Sequence, residues 1–210
     1  MVKYELRYVN LNGKAEAIRL LFEYANVSYV DKREDYLEYT KIKLDPPLPR
    51  MPYLTVDGKL EICYTSCVLE YLGDVFGLNL HTVEERALAR VWGVRLNDYI
   101  NELKPLYYAK LYSEQQHNLE NAISTTYEKV MMQDFCVLME TQIKLNGSGF
   151  IVGKKLSWID FYVAHFVDMN MKLVQNADYS RFPYILKHKN MFFKLPQLTN
   201  YLKNRVQEIL

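Results

Sequence analysis

The stretch R-M-P-Y-L-T-V-D-G-K-L-E-I-C-Y-T-S-C-V-L-E-Y-L-G, Arg50–Gly73, decides the fold. Two short apolar runs, 53–56 and 60–63, flank Asp57-Gly58. Both turn residues tolerate positive φ, so the spacing predicts a hairpin. Pro52 heads the first run, where its missing N–H exposes the backbone of Met51 to a ligand. Thr65 then begins a helical pattern, with Val68, Leu69 and Leu72 on one face. The hairpin thus leads into a helix N-terminus, whose free N–H groups and partial positive charge suit an anion.

Upstream, Tyr4–Val9 alternates and predicts a first strand. Asn10-Leu11-Asn12-Gly13 is a turn. Residues 14–25 place Ala17, Ile18, Leu21, Phe22 and Ala25 on one helical face, and 27–30 read as a second strand. Strand, helix and strand make a βαβ unit, usually with parallel strands. A charged segment follows, with a short helix expected over 37–42, then the loop Asp45-Pro-Pro-Leu-Pro49.

Downstream the pattern changes to long helices. Residues 83–112 carry Leu88, Val91, Trp92, Leu96, Tyr99 and Leu103 at helical spacing, with Pro105 as a kink or an end. Residues 118–144 do the same with Ile123, Tyr127, Val130, Met131, Phe135, Leu138 and Met139, until Asn146-Gly-Ser-Gly149 breaks the pattern. Ser157-Trp-Ile-Asp160 has the form of a capping box, with Leu156 and Phe161 as its hydrophobic staple. Pro183 opens a further helix, and 197–206 is the last. The expected architecture is an α/β domain over 1–80 followed by an all-helical domain over 81–210.

A formal net charge of +1 removes the electrostatic case for nucleic acid or an anionic membrane surface. No apolar run approaches the ~20 residues of a membrane span. Met1-Val2-Lys3-Tyr4-Glu5 lacks the apolar core of a signal peptide, and three cysteines without framework spacing fit a reducing, cytoplasmic compartment. Cys63 and Cys67 stand four apart, but no third or fourth ligand lies nearby, so no metal site is expected.

The β-α-β, β-β-α order with a proline before its third strand resembles the thioredoxin fold, in which that proline is usually cis. An all-helical second domain on such a unit is similar to the glutathione transferases. Tyr4-Glu-Leu-Arg-Tyr8-Val-Asn10 and Gly13-Lys-Ala-Glu-Ala-Ile-Arg19 resemble the sigma-class opening Y-x-L-x-Y-F-N-x-R-G-R-A-E-x-x-R. Arg50-Met-Pro-Tyr-Leu-Thr-Val-Asp-Gly58 resembles K-I-P-x-L-x-V-D-G. Gly147-Ser-Gly-Phe-Ile-Val-Gly153 and Leu156-Ser-Trp-Ile-Asp160 resemble G-S-G-F-L-V-G and L-T-W-I-D. These segments span nearly the whole chain in order.

The resemblance implies a homodimeric, sigma-like glutathione transferase that detoxifies hydrophobic electrophiles, with glutathione as co-substrate and no other cofactor. Tyr8 would stabilise the thiolate. Met51, before Pro52, would pair through its backbone with the cysteinyl unit. Lys43, Tyr39 and Arg50 would meet the glycine end. Tyr64-Thr65 matches the family's Gln-Ser pair at the γ-glutamyl end; a register shifted by one would match Thr65-Ser66 instead. Lys14 stands where an arginine commonly assists ionisation, and Asp98 matches an acid that reaches the neighbouring subunit's glutathione. Tyr99, Leu103, Tyr107 and Tyr108 would line the electrophile site, with Ile209-Leu210 as a lid. Two alternatives remain on the same fold: a glutathione-dependent prostaglandin isomerase, and a ligand-binding or crystallin-like protein of low activity.

Overall fold

The computed structural model describes residues 2–35, 51–111 and 123–205. The short helix expected over 37–42 lies outside them. Four strands, β1 (Tyr4–Val9), β2 (Val30–Glu34), β3 (Tyr53–Val56) and β4 (Leu60–Cys63), form one sheet in the order β2-β1-β3-β4. β1 runs parallel to β2 and antiparallel to β3. The hairpin is built as its residues require: Asp57 and Gly58 have φ of 51° and 67°, and Lys59 N–H closes the turn onto Val56 O at 3.0 Å. Leu60, not Lys59, pairs with Val56, so the loop holds three residues.

The second strand begins at Val30, where the sequence pattern had placed its end. Val27 belongs to the end of helix α1 (Glu16–Ala25): Asn26 turns left-handed at φ 53°, and Val27 N–H reaches back to Phe22 O at 3.1 Å. β2 is instead the charged run Val30–Glu34. Its charges are paired, Lys32 with Glu5 at 2.9 Å, Arg33 with Asp31 at 2.8 Å and Glu34 with Arg7 at 3.5 Å. Ion pairs there replace the apolar alternation that marks a half-buried strand.

Helix α2 is Thr65–Val75 and α3 is Val83–Leu111. α3 runs through Pro105, which cannot donate back to the carbonyl of Asn101. A π-helical segment, Ile123–Phe135, continues into α4 (Cys136–Asn146) and stops at Gly147, φ 68°. α5 (Trp158–Leu173), α6 (Pro183–Phe192) and α7 (Thr199–Asn204) complete the helical part. The last of these is shorter than expected, because a 3-10 turn over Pro196–Leu198 precedes it and Arg205 is extended. Leu88, Val91 and Leu138 share helical spacing with the core residues but are exposed. The core stripe runs instead through Trp92, Leu96, Tyr99 and Leu103.

α5 is the axis of the molecule, buried along nearly its whole length and packed on α1, α2, α3 and α6. The Trp158 indole wedges it against two helices at their glycines: a Cβ on Gly73 or Gly93 would lie 3.1 Å from the ring. Its start is a capping box, and Asp160 does more than cap. Its carboxylate accepts from Ser157 N at 2.8 Å, Ser157 Oγ at 3.0 Å, Ile151 N at 3.0 Å and His188 Nε2 at 2.9 Å. Asp160→Ala would leave these buried donors without an acceptor, each at about 1–3 kcal/mol. We expect urea unfolding to show a loss of about 3 kcal/mol, and a smaller loss for Asp160→Asn.

A second buried cluster docks α7. Glu16 accepts from Arg205 at 2.7 Å, Arg19 at 3.3 Å and the Tyr201 hydroxyl at 3.0 Å. Burial pushes the Glu16 carboxyl up, but the Arg205 and Arg19 guanidiniums bonded to it outweigh that and hold the group below its ordinary range. A carboxylate depressed in the folded state contributes its full stability above the unfolded pKa and loses it as pH falls through the folded one. The thermal midpoint should therefore drop as pH falls below 4.5, the ordinary value. The gap between wild type and Glu16→Gln should close over the same interval.

Candidate functional site

A cleft of about 750 Å³ opens between the sheet and α3. One wall is the end of β1 and the loop after it, Tyr8, Asn10, Gly13 and Lys14, with Met51, Pro52, Tyr64 and Thr65 beside them. The Met51–Pro52 peptide is cis. The other wall is α3, which presents Asn97, Asn101, Lys104 and Tyr108 at spacings of four, three and four. This is one helical face. Ile100, Tyr107, Leu111 and Met169 supply the apolar part.

Tyr8 is fixed by the loop that follows it. Its Oη accepts the Lys14 N–H at 3.2 Å. Accepting one N–H uses a lone pair and spares the hydroxyl's donor. It also stabilises negative charge on the oxygen, which makes the O–H a stronger donor. The ring lies so close to the loop that residue 13 can have no side chain. A Cβ there would sit 2.8 Å from Oη and 2.9 Å from the ring, and its φ of 39° is itself unfavourable for any L side chain.

At the helix end, Tyr64 is the N-cap of α2, with φ 67° and ψ 128°, and Thr65 is the first helical residue. Tyr64 and Thr65 both face the cleft. Ser66 turns the other way, and its Cβ would approach a Cβ on Gly93 to 3.0 Å. The N-cap side chain makes no capping bond, so the first N–H groups of an eleven-residue helix are offered beside the cleft. The Thr65 hydroxyl does not point to a ligand: it donates to Lys14 O at 3.0 Å. It also shares a hydrogen bond with the buried Tyr162, whose phenol burial pushes well above the ordinary range.

The remaining expected residues separate. Tyr107 and Tyr108 line the cleft, with Lys104 Nζ 5.3 Å from the centre of the Tyr108 ring. Tyr99 and Leu103 do not. Both are buried in the helical core, where Tyr99 accepts from Arg95 at 2.6 Å and packs edge-on to Phe135. The correction is one of helical phase: the face turned to the cleft is 97, 101, 104 and 108. Asp98 is exposed and stands outside the cleft lining. Tyr39, Lys43, Arg50, Ile209 and Leu210 lie outside the described residues. Among those described, no cluster of metal-ligating side chains occurs and no helix is long and apolar enough to cross a membrane. Sequence reasoning missed Asn97, Asn101, Lys104, Tyr162 and Met169. The polar stripe on α3 was visible as an i, i+4, i+7 pattern, whereas nothing local marks Tyr162 or Met169.

A four-stranded mixed sheet carrying a cis-proline, joined to a helical half across a cleft, defines a glutathione transferase fold. Residues 101–205 match the family model described as glutathione S-transferase, C-terminal domain. The chain is 29% identical to "Probable glutathione S-transferase 5" of Caenorhabditis elegans over 98% of both chains. It is 30% identical to "Hematopoietic prostaglandin D synthase" of Gallus gallus over 98% of both. A Nu-class GST structure from Haemonchus contortus superposes with a TM-score of 0.84 at 29% identity, over all of both chains. This chain belongs to the glutathione S-transferase family, and it is a glutathione transferase enzyme.

The close contact at Gly13 has a direct consequence. Gly13→Ala should displace Tyr8 and lower kcat/KM for glutathione conjugation about ten-fold or more. Unfolding stability should fall by only about 1–2 kcal/mol, the cost of a side chain at positive φ.

Proposed function

We propose that this enzyme is a sigma-type glutathione transferase in which the Tyr8 hydroxyl donates a hydrogen bond to the glutathione thiolate. A free thiol has a pKa of about 8.5, so little is thiolate at neutral pH. A phenol backed by the Lys14 N–H lowers that value by stabilising the anion. Lowering it by about 2 units takes about 2.7 kcal/mol, within the range of charge-assisted hydrogen bonding in a partly dry site. The observation that carries the reading is the Tyr8 geometry: a phenol on the cleft wall, held by a backbone N–H across a residue that can only be glycine.

In this reading residues 1–80 bind glutathione and 81–210 supply the electrophile wall. The γ-glutamyl carboxylate lies at the Tyr64-Thr65 end, against the N–H groups of α2, and the cysteinyl unit pairs with the Met51 backbone. Lys14 adds positive charge beside the sulfur. Lys43, Tyr39 and Arg50 meet the glycine end, and Asp98 serves a partner subunit. With an aryl halide, the thiolate carbon–sulfur bond forms as the carbon–halogen bond breaks. The halide leaves with its electron pair and the thiol proton goes to solvent. Tyr107 and Tyr108 flank the electrophile, with Ile100, Leu111 and Met169 on the apolar side and Asn97, Asn101 and Lys104 able to meet polar substituents.

The enzyme is read as a cytoplasmic homodimer. Supporting this, Leu88 and Val91 of α3 and Leu138 and Leu145 of α4 line a shallow exposed groove of about 280 Å³, an apolar surface of the kind that partners cover. Isomerisation of a prostaglandin endoperoxide is the second reading, favoured by the likeness to the prostaglandin D synthase. It uses the same tyrosine and thiolate.

Retention on immobilised glutathione, with turnover of a generic aryl halide, tests the reading; no retention overturns it. Tyr8→Phe should raise the pKa of the bound thiol by about 2 units and lower turnover at neutral pH about 20-fold, with glutathione binding spared. A fully active Tyr8→Phe enzyme would refute the role.

A further inference from the structure

One side chain of the helical half reaches the loop behind Tyr8. His165 of α5 is 5% exposed, and its Nε2 lies 2.7 Å from the carbonyl oxygen of Gly13. A carbonyl only accepts, so Nε2 carries the proton and donates it. Nδ1 is then a buried lone pair without a hydrogen-bond partner among the described residues. Leaving a buried acceptor unsatisfied costs free energy, so local satisfaction does not account for an imidazole here. What the ring does make is a single bond to one peptide.

That peptide is the one whose other end meets Tyr8. The Gly13 carbonyl and the Lys14 N–H belong to the same planar unit and point to opposite sides of it. The bonds therefore run in series: His165 Nε2–H to Gly13 O, then Lys14 N–H to Tyr8 Oη. A donor on the carbonyl fixes the plane of the peptide and polarises its N–H, which strengthens the next bond in the chain. The adjacent carbonyl, that of Lys14, is gripped by Thr65, so the loop is held at both ends.

We infer that His165 is a positioning residue for thiolate formation, acting through the Gly13–Lys14 peptide on the oxygen of Tyr8. The inference rests on the reading of Tyr8 given above. The charged groups around the ring are Glu16 of α1, Asp168 of its own helix and Arg205 after α7. Burial pushes the imidazole below its ordinary range, against the pull of Glu16, of the Gly13 carbonyl and of Asp168.

The test measures the thiolate absorbance of enzyme-bound glutathione as a function of pH. His165→Leu removes the donor. The midpoint should rise by about half a pH unit or more, and kcat measured at a pH below the midpoint should fall about threefold and recover at higher pH. KM for glutathione should stay within about twofold. His165→Gln, whose amide N–H can reach the same carbonyl, should restore the wild-type midpoint. If His165→Leu fails to fold, His165→Asn, with an amide too short for the carbonyl, takes its place with the same expectation.

A Tyr8→Phe background separates the two ideas. There His165→Leu should add no further shift. An equal shift in both backgrounds, or identical behaviour of the Leu and Gln variants, overturns the inference. A midpoint that moves with Tyr8→Phe but not with His165→Leu overturns the inference alone. A midpoint that ignores Tyr8→Phe overturns the reading of Tyr8 and the inference together.

Discussion

The peptide between Gly13 and Lys14 is bonded at both ends, to His165 through its oxygen and to Tyr8 through its nitrogen. Most of the site follows from that constraint. The N–H end sets where the phenol oxygen of Tyr8 sits. The lack of a side chain at residue 13 lets the ring approach. The next carbonyl holds Thr65, and Thr65 marks the start of α2, where the helix offers its N–H groups. Two sides of the cleft are thereby locked to one short loop. The loop in turn is locked to α5, the most deeply buried helix among the described residues.

Around this loop the protein accepts buried charge. Arg19 is buried, with its guanidinium on Glu16, Asp31 and the carbonyls of Leu11 and Asn12. Arg205 reaches Glu16 from the far end of the chain, and Asp168 gathers Lys172, Lys189 and Arg205. Such pairs give little net stability, because desolvation offsets most of the attraction. They do fix register, since a shifted arrangement would bury an unpaired charge. The cluster sits directly beneath the turn that carries Lys14, and it joins β2, α1, α5 and α7 in one geometry. That is the physical reason β2 is a charged strand.

The cleft is chemically uneven for a related reason. α3 must bury Tyr99 and Leu103 against α5, so the polar residues left for the cleft are those nearly half a turn away. Asn97, Asn101 and Lys104 therefore face the cleft, and Ile100, Tyr107 and Leu111 are what α3 adds to its apolar lining. A wall of amides, an ammonium and aromatic rings can meet a small molecule through its polar substituents as well as by its surface.

By itself the sequence determined the local devices. Asp57-Gly58 set the hairpin, Ser157 and Asp160 the start of α5, and Pro52, Tyr8 and Gly13 stood in spacings that resemble one family. Each depends on backbone preferences or contacts within a few residues, so each is legible along the chain. What sequence reading missed needed distance. Val27 looked like a strand but closes a helix, and Val30–Glu34 is a strand because its charges find partners on β1 and α1. Tyr99 and Leu103 share a spacing with the cleft residues, and only the packing of α3 on α5 decides which phase faces the cleft. His165 lies 152 residues from the carbonyl it holds. No local pattern could assign its proton, because the acceptor is brought to it only when α5 packs on α1 and α2.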